Sequence, residues 1–298
     1  MQGTERTMQL EDIDFVIAGA AKSATTWLRH QLQSDPAIYM PNPELHFFSR
    51  EFHRGTSWYL DQFSPHDGAR LIGEKSNSYL DTEEAAGRLR AALPDARLII
   101  MLRDPVERAY SDYCMCYRRG QVTGDIEQHL DPSRAPQERF LKGSRYDLHL
   151  RRILSHYDQE AVLVTQYELV SSHPQKVLDD VRSHLGLLPR PLAQAAERKI
   201  NDRDAKLLPL SLRVRLAPMK SMVAPLRGTK PFESVRGLFT AKVRYPELSK
   251  DLKLRMLDYF APMQDTLAAM GFTVSWNATW PSMDRTRPST SIQEAGSM

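Results

Sequence analysis

The strongest constraint on this chain is an alternation in its first 185 residues: short apolar runs, each followed by a stretch with helical periodicity. Asp14 to Ala20 is apolar and ends in small residues, as a buried strand would. Ala24 to Ser34 then places Trp27, Leu28 and Leu32 on related helical faces. The pattern recurs with a strand over Arg70 to Lys75 and a helix over Thr82 to Leu93, with Thr82 as N-cap and Pro94 beyond its end. It recurs again with Arg97 to Arg103 and a helix from Pro105 to about Arg119. A fourth pair is Ala161 to Thr165 and His173 to Leu185. Strands separated by helices require crossover connections, so the expected fold class is α/β: a central parallel sheet flanked by helices. Such sheets bind ligands beyond the carboxyl ends of their strands, so the residues that follow each strand are the ones to read for chemistry.

The rest of the chain is less regular. Gly120 to Gly143 reads as a long polar loop, and Leu187 to Pro246 as short helices among prolines and basic residues. Ser249 to Met270 is an amphipathic helix closed by Gly271. No boundary divides the chain, so one domain is expected over residues 13–275, with flexible tails at 1–12 and 281–298.

Composition limits the partners. Lys plus Arg is 40 and Asp plus Glu is 37, a formal charge of +3, which gives no reason to expect nucleic acid. Hydrophobic residues are 41% and charged residues 26%, an ordinary globular balance. The two cysteines, Cys114 and Cys116, are too close in sequence to staple a fold. No apolar run is long enough to span a bilayer and the first residues lack a signal-peptide core, so the expected location is the cytoplasm, without integral membrane contact. Oligomeric state is not legible.

Two segments after strands carry anion-binding chemistry. The first is Gly19-Ala-Ala-Lys22-Ser23-Ala24-Thr25-Thr26-Trp27. Small residues permit a tight turn, the helix start offers free N–H groups and a positive dipole end, and Lys22 and the hydroxyls add donors. It lacks the Walker A spacing, since no second glycine precedes the lysine. The second is Arg103-Asp104-Pro105, with Ser111 farther along the helix. An arginine can grip a phosphate through two parallel hydrogen bonds, and a serine can add a third.

Together these segments resemble the sulfotransferases that use 3′-phosphoadenosine 5′-phosphosulfate (PAPS). Lys22-Ser23-Ala24-Thr25-Thr26 is similar to the family's 5′-phosphosulfate loop, with Ala24 in place of the usual glycine. Arg103 and Ser111 are similar to its 3′-phosphate segment. Glu44-Leu-His46-Phe47-Phe48 and Glu74-Lys75-x-x-x-Tyr79 resemble elements of the heparan sulfate-type branch, the glucosaminyl N- and 3-O-sulfotransferases and their bacterial relatives. Ser49 stands where several of those enzymes carry an aspartate.

The resemblance implies a P-loop-like fold and transfer of a sulfuryl group from PAPS to a hydroxyl or amine of a carbohydrate or sugar-bearing acceptor. It places Lys22, Ser23, Ala24, Thr25, Thr26, Trp27, Arg103 and Ser111 around the donor, with Lys199 and Arg203 as candidates in a basic loop over its 3′-phosphate. No metal is expected, because sulfuryl transfer needs less charge neutralisation and no ligand motif is present. Glu44 is the expected general base, its pKa raised by Leu45, Phe47 and Phe48. His46 is the runner-up base, otherwise assigned to orientation and packing, and Lys75 is expected to bridge toward the sulfuryl group or Glu44. A small natural product as acceptor, and a P-loop kinase, are the alternative functions.

Overall fold

The computed structural model describes residues 8–122, 124–193, 206–207 and 241–276. Its centre is a five-stranded sheet of β1 (Phe15–Gly19), β2 (Ile38–Tyr39), β3 (Leu71–Lys75), β4 (Arg97–Leu102) and β5 (Val162–Gln166). The spatial order is β2-β3-β1-β4-β5, and every neighbouring pair is parallel. The α/β expectation therefore holds. A short antiparallel pair, β6 (Lys206–Leu207) and β7 (Ala241–Lys242), stands apart from it.

Period-2 alternation divides the core in two. Phe15, Ile17, Ile99 and Met101 point to one face of the sheet, against Leu28 and Leu32 of α1 (Thr25–Gln33) and Val177, Leu178 and Val181 of α9 (Pro174–His184). Val16, Ala18, Leu98, Ile100 and Leu102 point to the other. That face meets α3 (Ala85–Ala92), α4 (Pro105–Arg119), α7 (Tyr146–Leu154) and α10 (Lys250–Ala269). Covering both faces is what lets β1 be apolar at every position.

The topology then fixes where a ligand can sit. After β1 the chain moves to the β3 side, and after β3 it crosses to the β4 side. The connections leaving β1 and β4 therefore diverge, and a crevice opens beyond their carboxyl ends. The register sets Ile17 beside Ile99 on one side and Lys75 on the other, so the segments following β1, β3 and β4 converge there. Gly19 is required by this crowding: its φ is +153°, and a Cβ would lie 2.8 Å from the Leu80 Cβ.

Several expectations are corrected. Thr82 does not cap α3, which starts at Ala85 after Glu84. The stretch expected as one polar loop holds two short helices, α5 (Glu127–Leu130) and α6 (Arg139–Lys142), which bury Leu130, Phe140 and Leu141. β2, with two residues, and α2 (Gly55–Leu60) are too short to show a period. The packed chain begins before residue 13, because Met8 is buried and Leu10–Asp12 forms a 3₁₀ turn. Within α8 (Tyr167–Ser172), Glu168 accepts a hydrogen bond from the Asp104 N–H at 2.9 Å. Among the described residues no helix is long and apolar enough to cross a membrane.

The start of α4 controls the position of Arg103. Asp104 is the N-cap, its carboxylate accepting from the Val106 and Glu107 N–H groups at 3.0 Å each, and Pro105 follows at the first helical position. We expect Asp104→Ala to lose about 1–2 kcal/mol of stability, the usual cost of an N-cap. Urea denaturation of the two proteins at one pH measures it, and an unchanged midpoint would show that the cap contributes nothing.

Candidate active site

The crevice is a cleft of about 1450 Å³. Lys22, Ala24, Thr25, Thr26 and Trp27 form one wall, and Arg103 and Ser111 another. Glu44 and His46 reach it from the loop before a single wide helical turn, Phe47–Glu51. These sequence-predicted residues therefore share one cavity. Ser23 does not line it; the residue is fully buried and its hydroxyl has no hydrogen-bond partner among the described residues. Lys75 also lies behind the wall, and acts on the cleft through the groups it holds. Lys199 and Arg203 lie outside the described residues.

The loop after β1 is built for an anion. Ala24 precedes α1 with φ 61°, in the left-handed region, and offers no side-chain cap. The first N–H groups of α1 have no carbonyl a turn earlier to bind. No side chain among the described residues caps them, and the residues that carry them line the cleft, as at an anion-binding helix start. Lys22 also has a positive φ, 72°, and its Nζ lies 3.8 Å from the Met115 sulfur.

Arg103 ties this loop to the end of β4. Its guanidinium donates to the Lys22 carbonyl at 3.2 Å and lies over the Tyr167 ring, 4.4 Å from the centroid. Its carbonyl accepts from the buried Tyr146 hydroxyl at 2.9 Å. Among the described residues the buried Arg103 Nε has no hydrogen-bond partner, a donor site for an anionic ligand. Ser111 follows on α4, about 9 Å beyond Pro105 at 1.5 Å per residue.

The third element is a charged network after β3. The Lys75 ammonium, with its side chain 1% exposed, donates to Glu44 Oε1 at 2.6 Å and to Thr26 Oγ1 at 3.0 Å. Asn77 donates its backbone N–H to Glu44 Oε2 at 3.1 Å, and its amide oxygen accepts from the Thr25 hydroxyl at 2.6 Å. Two consequences differ from the sequence expectation. The Thr25 hydroxyl hydrogen is committed to Asn77, whereas Thr26, an acceptor from Lys75, keeps its own hydrogen for the cleft. Burial pushes the Glu44 carboxyl up, as expected, but Lys75 and the Asn77 N–H outweigh it and hold the pKa below its ordinary value. Apolar neighbours were the visible signal; the opposing charge came from a strand 31 residues later.

The setting holds the His46 pKa below the ordinary histidine value. Burial, foremost, and then Arg50 and Lys75 lower its pKa, against the pull of Glu44 and Glu51. Its Nε2 lies 3.8 Å from Glu44 Oε2, too far for a hydrogen bond. Its Nδ1 lies 2.7 Å from the Ser78 hydroxyl. Asn77, Ser78 and Tyr167 were not singled out from sequence. All three follow strand ends, and applying that rule to every strand would have found them.

Behind the network sits Glu74, fully buried, which accepts from Tyr59 at 2.9 Å, Tyr79 at 2.8 Å and Ser76 at 2.8 Å. Ser76 in turn accepts the His46 N–H at 2.9 Å, so Glu74 anchors the loop that carries Glu44 and His46. Tyr59 is thus a core residue, stacked on Phe47 with ring centroids 4.6 Å apart. Among the described residues no group of three His, Cys, Asp or Glu side chains is placed to hold a metal ion.

Residues 52–189 match the family described as Sulfotransferase family. The chain is 31% identical over 194 residues to human bifunctional heparan sulfate N-deacetylase/N-sulfotransferase 2, covering 59% of this chain and 22% of that protein. It is 30% identical over 177 residues to mouse heparan sulfate glucosamine 3-O-sulfotransferase 3B1, covering 58% of this chain and 45% of that one. The chain thus spans less than half the length of these curated relatives. A solved sulfotransferase from Alicyclobacillus acidocaldarius superposes with a TM-score of 0.64 at 24% identity, over 88% of this chain and 97% of that one, and shares the fold.

Glu74 makes the stability pH-dependent. Burial lifts its pKa from 4.5 to about 7, despite three hydroxyl donors. Between those values the folded protein holds a proton that the unfolded chain has lost, so the Glu74 contribution is full below pH 4.5 and falls as pH rises toward 7. We expect this to cost roughly 2–3 kcal/mol between pH 5 and pH 7.5. Glu74→Gln, which cannot ionise, should flatten that part of the profile. Denaturation of both proteins at the two pH values checks it, and parallel profiles would exclude Glu74 as the source.

Proposed function

We propose that this chain, which belongs to the sulfotransferase family, transfers the sulfuryl group of PAPS to a hydroxyl or amine of a carbohydrate or sugar-bearing acceptor. The observation that carries the proposal is the bond from Arg103 to the Lys22 carbonyl, 3.2 Å, which joins two anion-binding segments across one cleft. A donor with phosphate at both the 3′ and 5′ positions of one nucleoside matches two cationic segments held at a fixed spacing. The uncapped start of α1 and the unpartnered Arg103 Nε fit such a ligand. The carbohydrate acceptor is supported by the relatives, which are named for heparan sulfate.

PAPS supplies a sulfur atom already activated by a phosphate leaving group. Lys22, the first N–H groups of α1 and the Thr26 hydroxyl then hold the charge that grows on that phosphate, a stabilisation that needs no reorganisation at the moment of reaction. Lys75 keeps Thr26 and Glu44 in one geometry. The acceptor's proton leaves through the Glu44 and His46 pair, which lines the same cleft.

Two measurements test this reading. Arg103→Ala should weaken adenosine 3′,5′-bisphosphate by about tenfold or more, the scale of a charged hydrogen bond, and should leave ADP much less affected. An unchanged ratio of the two affinities by calorimetry would remove the 3′-phosphate assignment. Lys22→Ala should fold normally and lose at least about 10²-fold in turnover, measured with mass-tagged PAPS against a panel of sugars, glycolipids and amino-bearing metabolites. Turnover at the wild-type rate would remove Lys22 from the mechanism.

A further inference from the structure

Asp81 differs from the other charges of the cleft. It lines the cavity together with Lys22, Arg50, Arg103 and Arg119, is exposed there, and carries the opposite sign. Two further carboxylates reach the cavity, and both are paired: Glu44 with Lys75 at 2.6 Å, and Asp112 with Arg139 at 3.1 Å. Asp81 has no such partner. Among the described residues no cation stands at ion-pair distance from it, and its own backbone N–H is the hydrogen-bond donor it meets.

The arginines nearest to Asp81 are committed elsewhere. Arg108 donates to the Ser144 hydroxyl and the Phe140 carbonyl at 2.6 Å each, and its third nitrogen lies 3.7 Å from Asp112. Arg139 donates to both Asp112 oxygens, at 3.1 and 3.2 Å. Burial, foremost, raises the Asp81 pKa and Asp112 adds to it, while Arg108 and Arg139 act from too far away to cancel the rise. The carboxylate therefore does not hold the fold together, and it gains from any hydrogen-bond donor or cation that enters the cleft.

Its position is nevertheless fixed. The Leu80 N–H bonds the Ala18 carbonyl at 3.0 Å, and the Thr82 N–H bonds the Ser78 carbonyl at 3.2 Å. The same turn carries Asn77, which donates to Glu44, and Ser78, whose hydroxyl lies 2.7 Å from His46 Nδ1. Asp81 is thus borne by the turn that holds the Glu44 and His46 pair. A carboxylate in this cleft repels a donor that carries phosphate at two positions, so its use lies with the other ligand.

We propose that Asp81 holds an amino group of the acceptor and sets a preference for amines over hydroxyls at this site. The proposal deepens the sulfuryl-transfer reading above and rests on it. Counting hydrogens separates the two acceptors. A hydroxyl has one, and once that proton has left through the Glu44 and His46 pair the oxygen presents only lone pairs, which an unpaired carboxylate repels. An ammonium has three. One leaves through the same pair, and the freed nitrogen lone pair forms the bond to sulfur. The bond from sulfur to the donor's 5′-phosphate oxygen breaks, and its electrons leave on that phosphate. The nitrogen keeps two hydrogens as it attacks. Asp81 accepts from one of them, and the second leaves to solvent as the neutral sulfamate nitrogen forms.

Binding tests this without turnover. The probes are the chitosan trisaccharide and cellotriose, which share one backbone and differ only in an amine or a hydroxyl on each ring. Each is titrated by calorimetry into the complex with adenosine 3′,5′-bisphosphate. The wild type should favour the amine by about tenfold or more, the scale of a charge-assisted hydrogen bond, and Asp81→Asn should lose that preference. The variant should bind adenosine 3′,5′-bisphosphate at least as tightly as the wild type, because it has lost a repelling charge and no contact of the fold. Glu160→Gln removes the same charge from an exposed turn at the amino end of β5, and should keep the wild-type ratio. A wild type that binds the amine no better than cellotriose, or binds neither, would overturn the proposal. So would a preference that survives in Asp81→Asn, or one that Glu160→Gln abolishes equally, which would mark general attraction of a cation. Release of adenosine 3′,5′-bisphosphate from PAPS judges the underlying reading separately. A wild type that consumes PAPS with no nucleophile, water included, overturns sulfuryl transfer, whereas one that consumes PAPS and shows no Asp81-dependent ratio overturns the role of Asp81 alone.

Discussion

A single buried ammonium organises the site. Lys75 ends the strand beside β1, and its desolvation would be severe without a counter-charge. Glu44 supplies that charge, and Thr26 accepts a second of the three available hydrogens. In meeting those demands the chain brings together three segments that are distant in sequence. The loop after β1 is positioned through Thr26, the loop after β2 through Glu44, and the turn after β3 through Asn77, which bonds both Glu44 and Thr25. Removing one member of a buried pair costs about 3–5 kcal/mol as a rule. With Glu44 about a quarter exposed, the lower end applies here. The charges thus serve stability and geometry at once, and no residue of this network acts alone.

The scaffold behind the network is less adaptable still. Phe47 and Phe48 are packed against Tyr59 and Tyr79, and both tyrosines donate to Glu74. The backbone at His46 turns with φ 52°, its N–H bound to Ser76 and its carbonyl accepting from the wide turn that follows. A loop tip normally carries mobility. This one is anchored through side chains on both flanks, which keeps the Glu44 carboxylate and the His46 imidazole within 4 Å of one another at the same cavity.

What the sequence reveals follows from how local the cause is. β1 and β4 show as apolar runs because helices bury them on both faces, β5 shows although its middle residues are only partly buried, and α4 shows because proline and aspartate mark its start. β2 and the Phe47–Glu51 turn do not, since two paired residues and one turn carry no period. The same division holds in the site. Lys22 and Arg103 are legible as residues that follow strands. The depression of the Glu44 pKa, the commitment of the Thr25 hydroxyl and the burial of Ser23 are not, because each depends on a partner or a packing direction that only the assembled sheet defines.

The left-handed backbone at Lys22 and Ala24 bears on how the loop after β1 would respond to loss of the proposed donor. Such a conformation costs an ordinary residue about 1–2 kcal/mol, and glycine almost nothing. A glycine loop relaxes into many shapes once empty and must be ordered again on each encounter. Ala24 has fewer shapes to relax into, and the carbonyl of Lys22 is clasped by Arg103. The unfavourable geometry is thus met when the protein folds, and on the proposed reading the loop is already arranged when a donor arrives.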